Sequence, residues 1–403
     1  MQDTGVVPRL PAEVPPGPAL YSRQATTLRA GLLGLGAMIA LALAILVGSR
    51  MLAFFDPALT GYAIASLFAA FAVAFHYGTW LMRPSTRIMW RRSWQFFLSR
   101  QNMARYFWVL PTAFVRNLLF QTFIRQRSLL RWVMHQCLFW GVILSFAITF
   151  PLAFGWVHFE TVGGTTYQAY LFGFPAFTFD ALGPIGFNTF HALDYFAVLV
   201  IIGVSIAYWR RWQDRAVKPQ QRVLFDLLPL HLLMAVAVTG IMLTIVDFAF
   251  AGWGHWPITL THQFLVIMLI LYLPFGKLFH IIERPASLGV EVYYAAGAAL
   301  GEKTCARCGR PFGMALQVED VKKALAGAGY NFWLPEEGHH WQDYCARCKR
   351  VIRATAYTGL TGRDWVNAGG LQKPHYSVPT SPVSELTDDS GDESAIRPQP
   401  STS

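Results

Sequence analysis

Four of the five cysteines fall in two identical Cys-Ala-Arg-Cys motifs, one at Cys305 and Cys308 and one at Cys345 and Cys348. Two C-x-x-C pairs are a strong signature of a tetrahedral four-thiolate metal site, in which each motif supplies two ligands. The flanking residues are basic and would offset the negative charge of four thiolates: Arg307, Arg310, Arg347, Lys349 and Arg350.

The motifs leave the metal open between zinc and iron. The first is followed by Gly309 and is similar to a rubredoxin motif, whereas the second is followed by Lys349. Because ribbons of this kind mostly hold zinc, we favour structural zinc over rubredoxin-type iron. C-x-x-C-H is absent, so covalent c-type haem is not expected. His339 and His340, just before the second motif, are expected to be surface residues.

A second set of candidates consists of histidines in apolar segments. Ionisable residues are costly in a membrane, so each is a functional candidate: His76, His135, His191, His231, His262 and His280. His262 and His280 are 280 − 262 = 18 residues apart. On one helix this is five turns, so both would face one side about 27 Å apart. Paired histidines on facing helices could hold haem b, one or two groups, although single membrane histidines also serve in helix packing.

The long apolar segments that contain these histidines predict an all-α membrane protein. The chain has 403 residues, 54% hydrophobic and only 14% charged, whereas about a quarter of a soluble domain is charged. Six stretches are long and apolar enough to cross a membrane. These are 30–49, 57–82, 132–157, 185–209, 227–250 and 258–282. The first is expected to be a retained anchor and not a cleaved signal.

Charge in the connecting segments predicts the orientation. Segment 83–131 carries ten arginines and no acidic residue, and 210–222 is also basic, whereas 158–184 and 251–257 contain neither Lys nor Arg. Basic loops stay in the cytoplasm, so both termini are predicted to be cytoplasmic in a multi-pass protein of the cell inner (cytoplasmic) membrane. The net charge of +10 is therefore assigned to the membrane surface and not to nucleic acid.

Four regions follow. Residues 1–28 form an N-terminal cytoplasmic segment, 29–282 a transmembrane haem domain, 283–375 a small cytoplasmic metal-binding domain, and 376–403 a disordered tail. Segment 83–131 is predicted to lie at the membrane interface. A seventh span over 106–124 is rejected because Pro111 and Arg116 interrupt it.

Two segments carry a family resemblance. THQFLVIMLILYLPFGKLFHIIERPASL (261–288) resembles the final helix of the γ subunit of respiratory nitrate reductase, a membrane cytochrome b related to heterodisulfide-reductase-type membrane subunits. The matching positions are His262, Pro274, Phe275, Gly276, Lys277 and His280. RWVMHQCLFWGVILSF (131–146) is similar to the family's other haem-bearing helix, with His135 as its first ligand. The resemblance covers roughly 57–288.

The resemblance implies an inner haem between His135 and His280. The family's second histidine on the earlier helix is replaced by Ser145, so we expect His191 to replace it opposite His262 at an outer haem. His231 is an alternative inner ligand, or a propionate or quinone contact. A quinone site near the outer haem is implied, with proton handlers among His158, Glu160, Asp180, Asp194 and Asp247.

These expectations define a function class. The protein would be an electron-transfer subunit, not catalytic alone, that links membrane quinone and quinol to cytoplasmic iron–sulfur or molybdenum-type oxidoreductase subunits. The alternatives are a transporter and a membrane scaffold presenting a zinc-ribbon domain. Against a transporter, neither an internal repeat nor a pair of broken spans is visible in the sequence.

Overall fold

The structure, a computed structural model, describes residues 23–213, 222–330, 332–334 and 338–361. It is mostly helical and divides into two compact units. Of the described residues, the first unit contains those up to Lys303 together with those of Gly313–Phe332, and the second contains Thr304–Phe312 and those from Trp333 to Thr361. The predicted disordered tail and most of the predicted N-terminal segment lie outside the described residues.

Six helices are long and apolar enough to cross a membrane, as predicted. With the short 3₁₀ or π turns that begin two of them, they are Arg23–Gly48, Pro57–Met82, Leu129–Ala153, Pro184–Gln213, Val223–Phe250 and His255–Tyr272. Their regular parts are α1 (Arg23–Gly48), α2 (Thr60–Met82), α7 (Leu129–Ala153), α8 (Pro184–Gln213), α9 (Leu228–Phe250) and α10 (His255–Tyr272). Much of their surface is exposed apolar side chain, as lipid-facing helices require.

The spans pack in the order α7–α8–α9–α10, with α10 beside α2 and α2 beside α1. Neighbours in the first series are antiparallel. Asp194 of α8 meets Thr244 of α9, while Tyr208 meets His231. The shared core includes Val204, which is fully buried, and Leu269. We name the end of the bundle at which α7 and α9 begin the basic end, and the opposite end the sheet end.

The sixth span corrects a prediction. We expected one continuous helix over 258–282, but α10 ends at Tyr272 and a 3₁₀ turn (Lys277–Phe279) precedes α11 (His280–Ala286). Pro274 cannot donate the next helical hydrogen bond. Gly276 is extended, and a Cβ there would lie 2.2 Å from the Tyr272 ring. The five-turn argument for His262 and His280 is therefore wrong.

The sheet end carries an element that sequence reasoning read as a loop. Residues 158–184 include most of a three-stranded antiparallel sheet of β1 (Val157–Gly163), β2 (Thr166–Leu171) and β3 (Phe174–Asp180). Alternate aromatic side chains cluster on one face, where Phe179 meets Phe159 and Tyr167. These side chains also contact Phe190 of α8, which fixes the sheet to the bundle.

The basic segment folds into short helices, none of span length. They are α3 (Pro84–Leu98), α4 (Arg100–Tyr106), α5 (Val109–Ala113), a π-helix (Phe114–Leu119) and α6 (Thr122–Arg125). Its aromatic residues do not all face lipid: Phe96 and Tyr106 are buried against Tyr293, Ala296 and Leu316, whereas Trp94 and Trp108 are exposed.

Those partners lie on α12 (Leu288–Ala299) and α13 (Ala315–Gly327). The predicted single domain over 283–375 is thus divided, because α11, α12 and α13 belong to the first unit. The apolar faces of α12 and α13 pack against α3, which explains this division, because an amphipathic helix buries its apolar side against a neighbouring element.

The second unit is small and cysteine-centred. The strands β4 (Glu302–Thr304) and β5 (Pro311–Met314) pair in a two-stranded sheet. It is followed by β6 (Trp333–Leu334), β7 (His339–His340), a 3₁₀ turn (Trp341–Asp343) and α14 (Ala346–Thr361). Its core contains Cys305, Tyr344 and Cys348.

Candidate metal centre and histidine pair

The four cysteines of the two motifs meet at one point, as predicted. Cys305 and Cys308 lie in the turn between β4 and β5, Cys345 precedes α14, and Cys348 lies in its first turn. All four sulfur atoms are within 4.8 Å of one another, and those of Cys308 and Cys345 are 3.9 Å apart. A tetrahedral ion with metal–sulfur bonds of about 2.3 Å needs sulfur separations of about 3.8 Å. The donor set therefore fits zinc or iron.

Backbone hydrogen bonds hold the two motifs together. The Cys345 N–H donates to Cys305 Sγ at 3.3 Å, and the Ala306 N–H donates to the Asp343 carbonyl at 3.0 Å. Burial opposes ionisation of Cys305, but N–H groups from Cys345, Cys308 and Arg307 lower its pKa to about 6. Burial, together with the other three cysteines, raises the pKa of Cys348 to about 12. Without metal, ionisation of Cys305 is favoured and ionisation of Cys348 is disfavoured. A bound cation would compensate the negative charge of the thiolates and allow all four to ionise.

His340 departs from the prediction that it lies on the surface. It is 8% exposed, and its Nδ1 accepts a hydrogen bond from the Gln342 N–H at 3.1 Å. Asp343 in turn accepts from the His340 N–H. This reciprocal cap precedes Cys345 directly, so His340 positions the second motif and is not offered to the metal by these contacts. The His-Trp-Gln-Asp run departs from the usual Ser/Thr-x-x-Glu/Gln capping box, so the sequence carried no signal for this role.

In the membrane-spanning unit, the structure brings His135 and His280 together at the basic end. Their ring centroids are 6.2 Å apart, at an interplanar angle of 66°. Two metal–nitrogen bonds of about 2 Å, plus about 1.1 Å from each nitrogen to its ring centre, would separate two axial imidazoles by about 6 Å. The pair therefore has the spacing of two ligands on one ion, although His280 is presented by α11 and not by α10.

The hydrogen bond of His280 also suits ligation. The His280 Nδ1 contacts the Lys277 carbonyl, which can only accept, so Nδ1 carries the proton and Nε2 keeps its lone pair. The His135 Nδ1 is buried and meets no hydrogen-bond partner among the described residues. A buried polar atom without a partner is uncommon, and ligation through Nε2 would leave this Nδ1 unpaired, so within the described chain His135 lacks the orienting hydrogen bond that His280 has. The centroid spacing and the His280 hydrogen bond are thus the two observations compatible with a group held between these histidines.

The proposed outer pair is not brought together. His262 hydrogen-bonds through Nδ1 to Thr239 Oγ1 at 2.9 Å, at the midpoint of α9. His191 instead contacts Phe248 near the other end of that helix. Thr239 and Phe248 are nine residues apart, which places them about 13 Å apart along the axis on opposite faces. Pairing of His191 with His262 stays a prediction that these contacts do not support.

His231 and His76 make contacts that are separate from those of the His135–His280 pair. His231 donates through Nδ1 to the Leu227 carbonyl and contacts the Tyr208 ring, also at the basic end. His76, on α2, packs against Phe275 and Phe279 at the break after α10. Neither ring contact joins them to the His135–His280 pair, so His231 stays an alternative ligand only as a prediction.

The polar residues expected near an outer quinone site are dispersed over the sheet end. Asp194 accepts from Thr244, Asp247 pairs with His255 at 2.7 Å, and Asp180 caps a turn through the Leu182 N–H. His158 and Glu160 lie on β1 with a 3.7 Å separation between Nε2 and Oε1. These contacts serve local structure and do not converge on one position.

No protein-family model, curated protein or solved structure matches the chain.

Proposed function

We propose that the protein is a membrane cytochrome b subunit, which carries electrons between the quinone pool and a cytoplasmic oxidoreductase partner. The observation that carries the proposal is the approach of His135 and His280, 6.2 Å apart at one end of a six-span bundle. Their proximity is independent of the sequence resemblance and requires the break that delivers His280 from outside α10.

The chain's own residues would prepare the site. The Lys277 carbonyl fixes the His280 tautomer and ring orientation, and oriented imidazoles make better metal ligands. Haem b would supply one-electron chemistry, with a potential set by the axial ligands and the local dielectric. The basic end would face the cytoplasm under the positive-inside rule, which puts the pair on the partner's side of the membrane.

The second unit would either dock the partner subunit or relay electrons to it. With zinc, the four-cysteine lobe would be a structural platform; with iron, it would be a further one-electron carrier. We favour zinc. The partner would be an iron–sulfur or molybdenum-type subunit, as the sequence resemblance implies.

The test is the visible spectrum of the full chain purified from membranes of cells able to make haem. We expect a Soret band and, after dithionite reduction, an α-band at haem b wavelengths. A colourless protein with a four-cysteine metal would support the scaffold alternative and would end the proposal. Matched samples of His135→Ala and His76→Ala separate ligand loss from general damage, because only the first removes a member of the pair.

A further inference from the structure

The β1–β3 sheet has one aromatic face and one polar face, because successive residues of a strand point to opposite sides. The strand register places Phe159, Tyr167, Phe177 and Phe179 on one side, which we call the aromatic face. The other side carries polar residues, among them Thr178. An amphipathic sheet of this kind needs a cover for its apolar side.

Helix α8 covers only part of the aromatic face. Phe190, in the second turn of α8, contacts the rings of Phe159 and Tyr167. Towards the β2–β3 turn, three large apolar side chains are exposed: Leu171, Phe174 and Phe177. Phe174 alone is 67% exposed, and it pairs with Leu171 across the turn. These side chains therefore form one patch, which isolated apolar surface residues do not.

The length of α8 gives the depth of the sheet. At 1.5 Å per residue its 30 residues (Pro184–Gln213) extend about 45 Å, whereas the hydrocarbon core of a bilayer is about 30 Å thick and needs roughly 20 residues. Arg210 and Arg211 belong to the last turn, at the basic end and outside that core. About 20 residues counted back from Trp209 end at Phe190. Phe190, and the part of the sheet that contacts it, therefore lie at the boundary between hydrocarbon and head groups.

The polar face is turned away from the hydrocarbon. His158, on that face, stacks on Phe54 with ring centroids 4.2 Å apart, and Phe54 belongs to the segment that joins α1 to α2. Irregular connecting segments lie outside the hydrocarbon region. The polar face thus contacts a surface loop, while the aromatic face contacts a spanning helix. The exposed patch beyond α8 therefore faces the lipid that surrounds that helix.

Other residues at the sheet end have the character of a membrane interface. The Arg50 guanidinium lies 4.6 Å from the centroid of the Phe174 ring, a position from which a long basic side chain can reach the head groups. Trp253, after α9, and Trp256, in the first turn of α10, are also exposed at this end, and tryptophan is typical of interfacial belts. Residues 158–184 contain neither Lys nor Arg, so contact with a bilayer depends on apolar area and not on anionic lipid.

We propose that the aromatic face of the β1–β3 sheet rests on the bilayer at the sheet end and inserts Leu171, Phe174 and Phe177 among the lipid acyl chains. The lipid surface is the occupant that fits, because the patch is continuous with a spanning helix on which Phe190 is itself exposed. The edge strands β1 and β3 keep their unpaired backbone groups in the head-group layer, since open sheet edges do not enter hydrocarbon. The inference uses the spans but not the haem, so it is independent of the proposed electron-carrier function.

The test places a photoreactive side chain on each face of β3. Phe177→p-benzoylphenylalanine probes the aromatic face, and its matched control is Thr178→p-benzoylphenylalanine, because Thr178 is the next residue and is exposed on the polar face. Each full-length variant is irradiated in phosphatidylcholine nanodiscs, and covalent adducts are measured by intact mass. We expect lipid adducts in the first variant to exceed those in the second by about fivefold or more.

A second measurement uses the wild-type chain and needs no substitution. Phosphatidylcholine with a diazirine near the carbonyl end of one acyl chain should label residues 171–177, as mapped by peptide mass spectrometry, and should leave residues 54–58 of the α1–α2 loop unlabelled. Equal lipid adducts at positions 177 and 178, or wild-type label on 54–58 but not on 171–177, would overturn the inference. An adduct of twice the chain mass in Phe177→p-benzoylphenylalanine would overturn it too, because the aromatic face would then be an interface between two copies.

Discussion

A buried ion pair fastens α13 to the basic segment, and its disruption gives a sharp prediction. Arg92 on α3 donates through Nε at 3.3 Å and Nη2 at 3.1 Å to Asp320 Oδ1, while the Tyr293 hydroxyl donates to Oδ2 at 3.1 Å. The side chains of Arg92 and Asp320 are only 5% and 7% exposed. We expect Asp320→Asn to release α13 from α3, because the guanidinium then stays buried without a counter-charge.

The magnitude follows from the burial. Breaking one side of a buried pair costs about 3–5 kcal/mol. Arg92 Nη1 already lacks a partner among the described residues, which argues for the lower half of that range. At about 1.4 kcal/mol per tenfold change, a cost of about 3–4 kcal/mol means that α13 amides should exchange with deuterium roughly 140- to 700-fold faster.

Hydrogen–deuterium exchange with mass spectrometry of the detergent-solubilised protein reads this directly. The control is Glu319→Gln on the same helix, because Glu319 makes only partly exposed pairs with Lys303 and Lys322 at 3.0 Å. Such pairs are worth under about 1 kcal/mol. An Arg92→Met/Asp320→Leu double variant should recover most of the protection. Equal exchange in Asp320→Asn and Glu319→Gln would refute the reasoning.

Three further predictions concern separate parts of the molecule. Burial and the Asp320 carboxylate raise the pKa of Tyr293 above its ordinary value of 10. The stability that this hydroxyl contributes is therefore complete below about pH 10 and is lost as the pH rises through the folded-state pKa. The unfolding temperature should fall less steeply between about pH 9 and 11 in Tyr293→Phe than in wild type. Stacking between Phe54 and Tyr170 buries His158 and lowers its pKa, against the opposing effect of Glu160. Stability should therefore be full above about pH 6.5 and fall under acid, and His158→Phe should flatten that profile. Cys308→Ser should release the metal measured by elemental analysis, whereas Cys137→Ser, on α7, should not; full metal retention in Cys308→Ser would exclude the four-thiolate site.

The spans and the cysteine centre were predictable because their signals are local. Twenty apolar residues in lipid have few alternatives to a helix, and two C-x-x-C motifs specify both ligand type and number. The proximity of His135 and His280 also agrees with the sequence expectation. The five-turn argument, which concerned His262 and His280, is wrong because Pro274 and Gly276 end the helix that it required.

What sequence reasoning missed depends on tertiary partners. The β1–β3 sheet has the alternating aromatic residues of a strand pattern, but its lack of Lys and Arg made 158–184 resemble a translocated loop. The attachment of α13 to α3 depends on Arg92 meeting Asp320, 228 residues away, and no local pattern encodes that contact. The buried position of His340 follows from a short cap that is visible only once its turn is known.

The most direct test of the central claim is the haem-to-protein ratio, from a pyridine haemochrome assay, in wild type, His280→Ala and His76→Ala. The account predicts that His280→Ala loses one haem per chain together with its low-spin bis-histidine EPR signal. His76→Ala, which removes a neighbouring histidine packed on Phe275 and Phe279, should keep both. Full haem and an unchanged EPR spectrum in His280→Ala would contradict the assignment of the His135–His280 pair.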